Sequence, residues 1–318
     1  MLQLRFLAGM VSVGLIIAGA VSGQNYPNKP VRIVTTAAGS GGDFPSRIIA
    51  QGISGPLGQP VIIDNKSGGL FASETVAKAP PDGHTLVVNG ASLWISPLLR
   101  KVSYDPVGDF SPISLLVREV FIVALHPSVA ANNVKELIAL AKARPGELNF
   151  GSGAIGGSNH LAGELFKSMA GVNIVHVPSK GSPLAIIALV SGEVHLTFTD
   201  AGLVVPHVKS GKLKALAVTS AQPSALFPGL PTVAASGLPG YEAGGMTGLW
   251  APAKTPGAIV NRLNQEIVRV LNLPDVKDRF MSAGVETVGN SPAQFAVIIK
   301  SDMARTAKTI KDAGIKVD

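Results

Sequence analysis

The hydrophobic pattern of the chain alternates between short β-branched runs and longer segments with helical spacing. Val31–Val34 is the first such run, and a loop with glycines at 39, 41 and 42 follows it. Helical spacing then begins near Asp43, a position where a carboxylate suits the free N–H groups and the dipole of a helix. A strand, a glycine loop and a helix N-terminus together favour anion binding, although an ordinary tight turn has the same pattern.

The same construction recurs along the chain. Strands are predicted at 60–64 and 85–89, each followed by small polar residues, and a short strand at 148–150 leads into the glycine-rich loop 151–158. Further strands are predicted at 174–178, 194–198, 213–219 and 248–252. Strands that alternate with helices predict an α/β fold, in which ligands bind at the carboxyl ends of parallel strands.

Two extended runs, Ile113–Val117 and Val120–Leu125, predict a crossing between two domains, and 248–252 is the predicted return. A length of 318 residues suits two domains with cores of their own. Capping sequences predict helices that begin at Asn133 and at Ser291, each with Glu or Gln three residues further on.

Composition and net charge exclude several classes of function. The chain has no cysteine, which excludes thiol catalysis, cysteine-ligated metals and disulfides. Its net charge is +7, but its 27 Lys and Arg are scattered singly, so nucleic-acid binding is not expected. A positive balance suits a protein that meets small anions, and a dispersed solvated surface has the same composition.

The N-terminus resembles an export signal. Arg5 is the only charged side chain before Lys29, Phe6–Val21 is apolar, and Ala20 and Ser22 fit a small-x-small cleavage site. The apolar run is short for a bilayer span, which disfavours an uncleaved anchor. We predict that residues 1–23 are a cleaved signal peptide and that the mature protein is periplasmic.

Catalytic patterns are weak. Gly151–Gly156 has the spacing of a dinucleotide loop, but the next strand is followed by Ser179-Lys180-Gly181, without the acid that would hold a ribose. His160 and Glu164 could face a metal from one helix turn, yet a third ligand is not evident and a capping or core role is favoured. No acid–base pair stands out. A nucleotide- or phosphate-dependent enzyme using this loop is the alternative to a binding protein.

Over most of its length the chain resembles the Bug receptors, the periplasmic solute receptors of tripartite tricarboxylate transporter systems. The resemblance runs in order from residue 26 to 318. The segments that carry it are Tyr26–Val34, Gly39–Asp43, Leu57–Val61, Val76–Leu86, Tyr104–Pro106, Leu161–Phe166, Val175–Pro178, Lys180–Ser182, Pro206-His207, Gly211–Ser220 and Leu230–Val233.

The resemblance implies a periplasmic-binding-protein-like Venus flytrap, with two α/β lobes joined by crossing segments. The expected boundaries are 24–123 plus 223–318 for lobe 1 and 124–222 for lobe 2. It also implies a monomer without catalysis or cofactor, which binds a small mono- or dicarboxylate and delivers it to integral membrane transporter subunits. A stand-alone sensory receptor is the alternative role.

The glycine loops of both lobes are the expected ligand contacts. From lobe 1 these are Ala38, Gly39, Ser40, Gly41, Gly42, Asp43, Ser67, Gly68 and Ser92. From lobe 2 they are Ser152, Gly153, Ser158, His160, Ser179, Lys180, Thr199 and Asp200. Lys180 is their one cation, and Arg47 is placed to pair with Asp43 one helical turn away, so backbone N–H groups and hydroxyls are expected to hold the anion.

The chain departs from the family pattern in these loops. Thr35 and Thr36 stand where the family has proline and an aromatic residue, and Gly42 stands where it has threonine. Ser179 replaces a usual tyrosine, and Phe198-Thr199-Asp200 replaces Phe-Asp-Asn. The resemblance therefore predicts the fold and leaves the choice of carboxylate open.

Overall fold

The structure is a computed structural model that describes residues 26–66, 69–153, 155–179 and 181–315. Its strands, in chain order, are β1 (Val31–Thr35), β2 (Val61–Asn65), β3 (Thr85–Gly90), β4 (Phe110–Glu119), β5 (Phe121–Leu125), β6 (Asn149–Ser152), β7 (Val175–Pro178), β8 (Leu196–Asp200), β9 (Lys214–Val218), β10 (Gly245–Pro252) and β11 (Val285–Thr287). The predicted signal peptide lies outside the described residues.

The helices are, in chain order, α1 (Asp43–Leu57), α2 (Gly69–Ala77), α3 (Ser92–Leu99), α4 (Val134–Ala143), α5 (Ser158–Ala170), α6 (Ser182–Ser191), α7 (Ala201–Lys209), α8 (Gly257–Leu271), α9 (Pro274–Ser282) and α10 (Pro292–Ala313). Within the described part of the chain, none is both long and apolar enough to span a bilayer.

The strands form two sheets, which confirms the predicted α/β class with two lobes. The first sheet has the order β11-β4-β10-β3-β1-β2, and the second has the order β7-β6-β8-β5-β9. β1 pairs in parallel with β2 and β3, and β6 pairs in parallel with β7 and β8. The strands next to the crossings are antiparallel to their neighbours. The carboxyl ends of the parallel strands carry the loops of the candidate site.

The chain changes sheet at Val120, because Glu119 ends β4 in the first sheet and Phe121 begins β5 in the second. It returns just before Gly245, the first residue of β10. Between β9 and β10, Val233, Leu238 and Tyr241 pack into the core of the second sheet. We therefore propose lobe boundaries near 120 and 244, in place of the expected 123/124 and 222/223. The expected boundaries differ because the sequence has no turn signal at the first crossing. At the second crossing it has no alternating hydrophobic pattern that would mark the start of a strand.

Several other elements differ from the sequence prediction. Helices α3 and α7 contain Pro97 and Pro206, residues that normally argue against a helix interior. The strand β11 has three residues and gives too short a pattern to recognise. Both predicted capping sequences are confirmed, since Asn133 Oδ1 accepts from Glu136 N at 2.9 Å and Ser291 forms a capping box with Gln294.

The two lobes are in contact beside the crossings. Leu161, from α5 of lobe 2, is buried in a cluster of lobe 1 that contains Trp94 and Phe295. On another side, Ser224 Oγ donates to Glu286 Oε1 at 2.6 Å. These contacts join the two lobes away from the backbone crossings.

Candidate ligand-binding cleft

The first loop, residues 36–42, joins β1 to α1. Gly39 has φ of 78°, a left-handed conformation that strongly favours glycine. Ser40 N donates to Ala37 O at 3.0 Å, and the Ser40 hydroxyl hydrogen-bonds to the Thr36 hydroxyl. The loop is therefore folded on itself before any ligand binds.

Asp43 holds this loop in place. Its buried carboxylate accepts from Gly39 N at 2.9 Å, from Asn65 Nδ2 at 2.8 Å and from Arg47 Nε at 2.9 Å. Burial alone would raise the pKa of Asp43, but the hydrogen bonds from Arg47, Gly39 and Asn65 outweigh it and lower that pKa to about 2. The predicted Asp43–Arg47 pair is confirmed. Asp43 is thus placed to position the loop, and its own acceptors are already used.

The free donors of the loop lie next to Asp43. The N–H groups of Gly41 and Gly42 have no hydrogen-bond partner among the described residues. They precede the first turn of α1, where the helix dipole favours negative charge. Backbone donors at this end of the sheet can meet an anion without a cationic side chain.

Gly42 fits its neighbours closely. A β-carbon at this position would lie 2.6 Å from Thr36 Oγ1 and 2.8 Å from Thr35 Oγ1, closer than any real side chain approaches. The threonines at 35 and 36 and the glycine at 42, which all depart from the family pattern, are therefore one connected change in packing.

Asn89 links the second and third loops of lobe 1. Its Nδ2 donates to Gly69 O at 2.8 Å and to Ser73 Oγ at 2.9 Å, while its Oδ1 accepts from Ser92 Oγ at 3.2 Å. Ser92, an expected ligand contact, thereby begins α3 at a fixed place beside α2. The expected contacts Ser67 and Gly68 lie outside the described residues.

In lobe 2, the loops after β6 and β7 lie against each other. Gly153 O accepts from Gly181 N at 2.7 Å, and Ser152 O accepts from Ser179 N at 2.8 Å. A β-carbon at Gly153 would lie 2.7 Å from Ser182 N, so only glycine permits this approach. Lys180 lies outside the described residues.

Asn159, which lies outside the motifs recognisable in the sequence, joins all three loops of lobe 2. Its Nδ2 donates to Phe198 O at 3.0 Å and to Thr199 Oγ1 at 3.2 Å, and its Oδ1 accepts from Ser182 Oγ at 3.4 Å. Asn65 and Asn89 have the same function in lobe 1. Each of those two asparagines stands at the end of a strand, next to small residues, which is a signal that the sequence offers.

His160 supports the loop from below. It is buried, its Nδ1 accepts from Gly156 N at 3.0 Å, and its ring lies 3.9 Å from the ring of His176, measured between centroids. Burial, His176 and Lys167 lower the pKa of His160 to about 3, so the ring is neutral near pH 7. Ser152 Oγ lies 2.7 Å from His176 Nε2, but Ser152 is only 1% exposed and unsuited to attack a bound substrate. His160 and Ser152 are placed to brace the site.

A metal site is not found in the described part of the chain, where no three His, Asp or Glu side chains converge on one point. His160 Nε2 does lie 3.7 Å from Glu164 Oε1, and Glu164 also accepts from Lys167 Nζ at 2.8 Å. The two residues predicted from their spacing therefore lie side by side, in a buried polar cluster within α5 in which the neutral His160 ring borders the Glu164–Lys167 ion pair.

Two acidic residues, Glu119 and Asp200, stand at the ends of strands in the two lobes. Glu119, at the end of β4, lies beside Gly41, and Asp200, the last residue of β8, lies on the lobe 2 side. Burial raises the pKa of Glu119 to about 7, with a further contribution from the charge of Asp200. Burial also raises the pKa of Asp200. Glu119 could not be selected from the sequence, because it stands in the short break between two apolar runs.

Residues 46–315 match the family model described as the tripartite tricarboxylate transporter family receptor. Protein BugT of Bordetella pertussis is 31% identical, in a match that covers 100% of this chain and 99% of that protein.

Solved structures agree with this match. An R. palustris protein solved with adipate is 35% identical, with a TM-score of 0.77 over 92% of this chain and 99% of that one. MatC from Rhodopseudomonas palustris, with bound malate, is 29% identical, with a TM-score of 0.72 over 90% of this chain and 100% of that one. The fold expected from the sequence resemblance is confirmed.

Proposed function

Because the chain belongs to the tripartite tricarboxylate transporter receptor family, we propose that it is an extracytoplasmic receptor for a small organic carboxylate. The observation that carries the proposal is the pair of free N–H groups at Gly41 and Gly42, held at the start of α1 by the fully bonded Asp43. The adipate and malate bound to its structural neighbours support a carboxylate as the ligand.

Donors from both lobes hold the ligand in this proposal. Lobe 1 supplies the first loop and Ser92, and lobe 2 supplies Ser158 and Ser182 beside the ends of its strands, while the buried Thr199 supports them through Asn159. Hydrogen bonds to a charged acceptor contribute about 1.5–3 kcal/mol each, so a few neutral donors suffice for tight binding. The remaining expected contacts, among them Ala38, Ser40 and Ser179, border the same loops.

The receptor works outside the inner membrane and passes its ligand to integral membrane subunits of a transporter. The family to which the chain belongs and the signal-like N-terminus support this part of the proposal. Uptake of a labelled ligand by cells with and without the gene tests it. Uptake that does not depend on the gene would contradict delivery and favour a sensory role.

Thermal denaturation of the mature protein with a panel of carboxylates and nucleotides tests the binding function. A ligand at a hundredfold its Kd stabilises the folded state by about 2.7 kcal/mol, a shift that is easily measured. We expect at least one small carboxylate to stabilise the protein and nucleotides to have no effect. Stabilisation by nucleotides with turnover, or by no carboxylate at all, would overturn the proposal.

A further inference from the structure

The Glu119 carboxylate occupies the boundary between the first loop and the crossings. A β-carbon on Gly41 would lie 3.3 Å from Glu119 Oε1, and one on Gly245 would overlap with Oε2. Gly41 carries one of the free N–H groups, so the carboxylate borders the place where the ligand anion would bind. Among the described residues, nothing donates a hydrogen bond to this carboxylate or forms an ion pair with it.

The cations nearest along the crossings are paired with another acid. Arg118 Nη1 and Arg305 Nη1 each lie 3.3 Å from a different oxygen of Glu242. These three residues line one open cavity with Glu119. The carboxyl group electrostatically coupled to Glu119 is that of Asp200, on the lobe 2 side. Arg118 and Arg305 are held by Glu242, and Arg305 also by Asp302, so among the described residues neither forms an ion pair with Glu119 or Asp200.

We propose that Glu119 determines the charge of the ligand, selecting carboxylates that carry an ammonium group over dicarboxylates. This inference rests on the proposed receptor function. The free N–H groups of Gly41 and Gly42 accept one carboxylate, and an ammonium on the same ligand then faces Glu119 and Asp200. A second carboxylate in that place is repelled by the negative charges of Glu119 and Asp200, because the site is poorly solvated. This repulsion disfavours dicarboxylates and so contributes to specificity.

Ligands of equal length that differ in one group test the proposal. The six-carbon set is adipate, 6-aminohexanoate, 2-aminohexanoate and hexanoate, and the four-carbon set is succinate, 4-aminobutanoate, 2-aminobutanoate and butanoate. Titration calorimetry at pH 8, above the pKa of about 7 of Glu119, gives the Kd of each with the wild-type protein, Glu119→Gln and Glu193→Gln. Glu193 is exposed just beyond the C-terminal end of α6, opposite the end that begins at Ser182, so its variant removes the same charge away from the candidate loops.

We expect the wild-type protein to bind an amino-carboxylate at least about tenfold more tightly than the dicarboxylate of equal length. Glu119→Gln should reduce that ratio about tenfold, chiefly by strengthening dicarboxylate binding, and Glu193→Gln should leave it unchanged. Asp200→Asn, as a second variant, should shift the ratio in the same direction if Glu119→Gln does not fold.

Each contrary outcome has its own meaning. A wild-type protein that binds the dicarboxylate as tightly as the amino-carboxylate overturns the role of Glu119 and leaves the receptor function standing. An unchanged ratio of the two affinities in a folded Glu119→Gln protein also overturns the role of Glu119 and leaves the receptor function standing. The same measurement on Asp200→Asn checks that result. Failure of all eight compounds to bind the wild-type protein would overturn the receptor function and the inference with it.

Discussion

Asn65 Nδ2 donates to Asp43 Oδ1 at 2.8 Å, joining the end of β2 to the start of α1. The same amide nitrogen donates to Thr36 O at 2.7 Å, so one side chain ties both ends of the first loop to the neighbouring strand. The donors at Gly41 and Gly42 are thereby held in place without a ligand. Binding that needs little rearrangement of a loop loses less entropy.

Asp43→Asn should destabilise the protein by about 2 kcal/mol at pH 7. The pKa of Asp43 is lowered from 3.8 to about 2, so its ionised form stabilises the native state above pH 4. That contribution is lost as the pH falls from about 4 towards 2, and the variant should lack this part of the acid transition. Urea denaturation at several pH values measures it, with the exposed Asp278→Asn as the control. Equal pH profiles for the wild-type and Asp43→Asn proteins would contradict the assignment.

Gly42→Ala should cost about 1–3 kcal/mol and weaken ligand binding, because its β-carbon overlaps with the hydroxyls of Thr35 and Thr36. In a Thr35→Ala/Thr36→Ala background the same change should cost less, since the overlapping atoms are gone. A double-mutant cycle by chemical denaturation measures the coupling. Additive costs would show that the three positions are independent.

The contacts of this loop with residues close in sequence could be predicted, and its contacts with residues distant in sequence could not. The position of Asp43 at a helix start and its pair with Arg47 follow from spacing within one helix. Asn65 comes 22 residues after Asp43, and its place beside Asp43 depends on β1 and β2 pairing in register, Thr35 opposite Asn65. Single-sequence patterns contain no information of that kind.

The same limit explains the errors elsewhere. The helices that begin after Asn133 and Ser291 were predictable because each capping residue and its partner lie within four residues of sequence. Glu119 was not, because its role depends on Gly41, 78 residues earlier in the chain, and on Gly245, which a returning strand brings near it from 126 residues later. His160 was expected as a ligand contact, and the structure places it under the loop, bonded to Gly156. Whether it also touches ligand stays a prediction.

Asn159→Ala should weaken carboxylate binding about 10- to 100-fold, because it releases Thr199, Ser182 and the Phe198 carbonyl together. The asparagine is partly exposed, so the loss of folding stability should be small, about 1 kcal/mol. Calorimetry with the best carboxylate of the screen measures the binding, and circular dichroism checks the fold. The surface variant Asn272→Ala is the control. Wild-type affinity in Asn159→Ala would show that the three loops are positioned without it.

Replacement of loop glycines should affect binding more than loss of the loop cation. Gly41→Pro removes a free N–H, and Gly153→Pro places atoms against Ser182 N, so both should abolish binding in a protein that still folds. Lys180→Ala should weaken it only modestly. If Lys180→Ala alone eliminated binding while both glycine variants bound normally, a salt bridge and not the backbone would be the anchor.

Leu161→Ala should favour an open arrangement of the lobes. The Leu161 side chain is buried among lobe 1 residues that include Trp94 and Phe295, although it belongs to α5 of lobe 2. Truncation of a buried leucine costs about 2–5 kcal/mol when the cavity cannot close, and here separation of the lobes relieves that cost. We expect a larger radius of gyration in small-angle X-ray scattering and weaker ligand binding. Leu184→Ala, which removes an exposed leucine of the same lobe, should change neither.

Glu119→Gln should be more stable than the wild-type protein at high pH and not at low pH. Burial and the charge of Asp200 raise the pKa of Glu119 from 4.5 to about 7. Between these values the native state keeps a proton that the unfolded chain has released, so the native state loses relative stability as the pH rises. The contribution is fully present below about pH 4.5 and lost above about pH 7. Glutamine cannot ionise and avoids that loss.

The expected gain of Glu119→Gln is about 1–3 kcal/mol at pH 8, with little difference from the wild-type protein at pH 4. Chemical denaturation at the two pH values measures it, and Glu193→Gln controls for the change in net charge. A gain of the same size at both pH values would mean that the glutamine packs better, and that the carboxylate of Glu119 is not held in a poorly solvated place. A gain confined to high pH would support the electrostatic basis of the proposed ligand selection, because the acid that destabilises the empty protein would be the one that repels a second carboxylate.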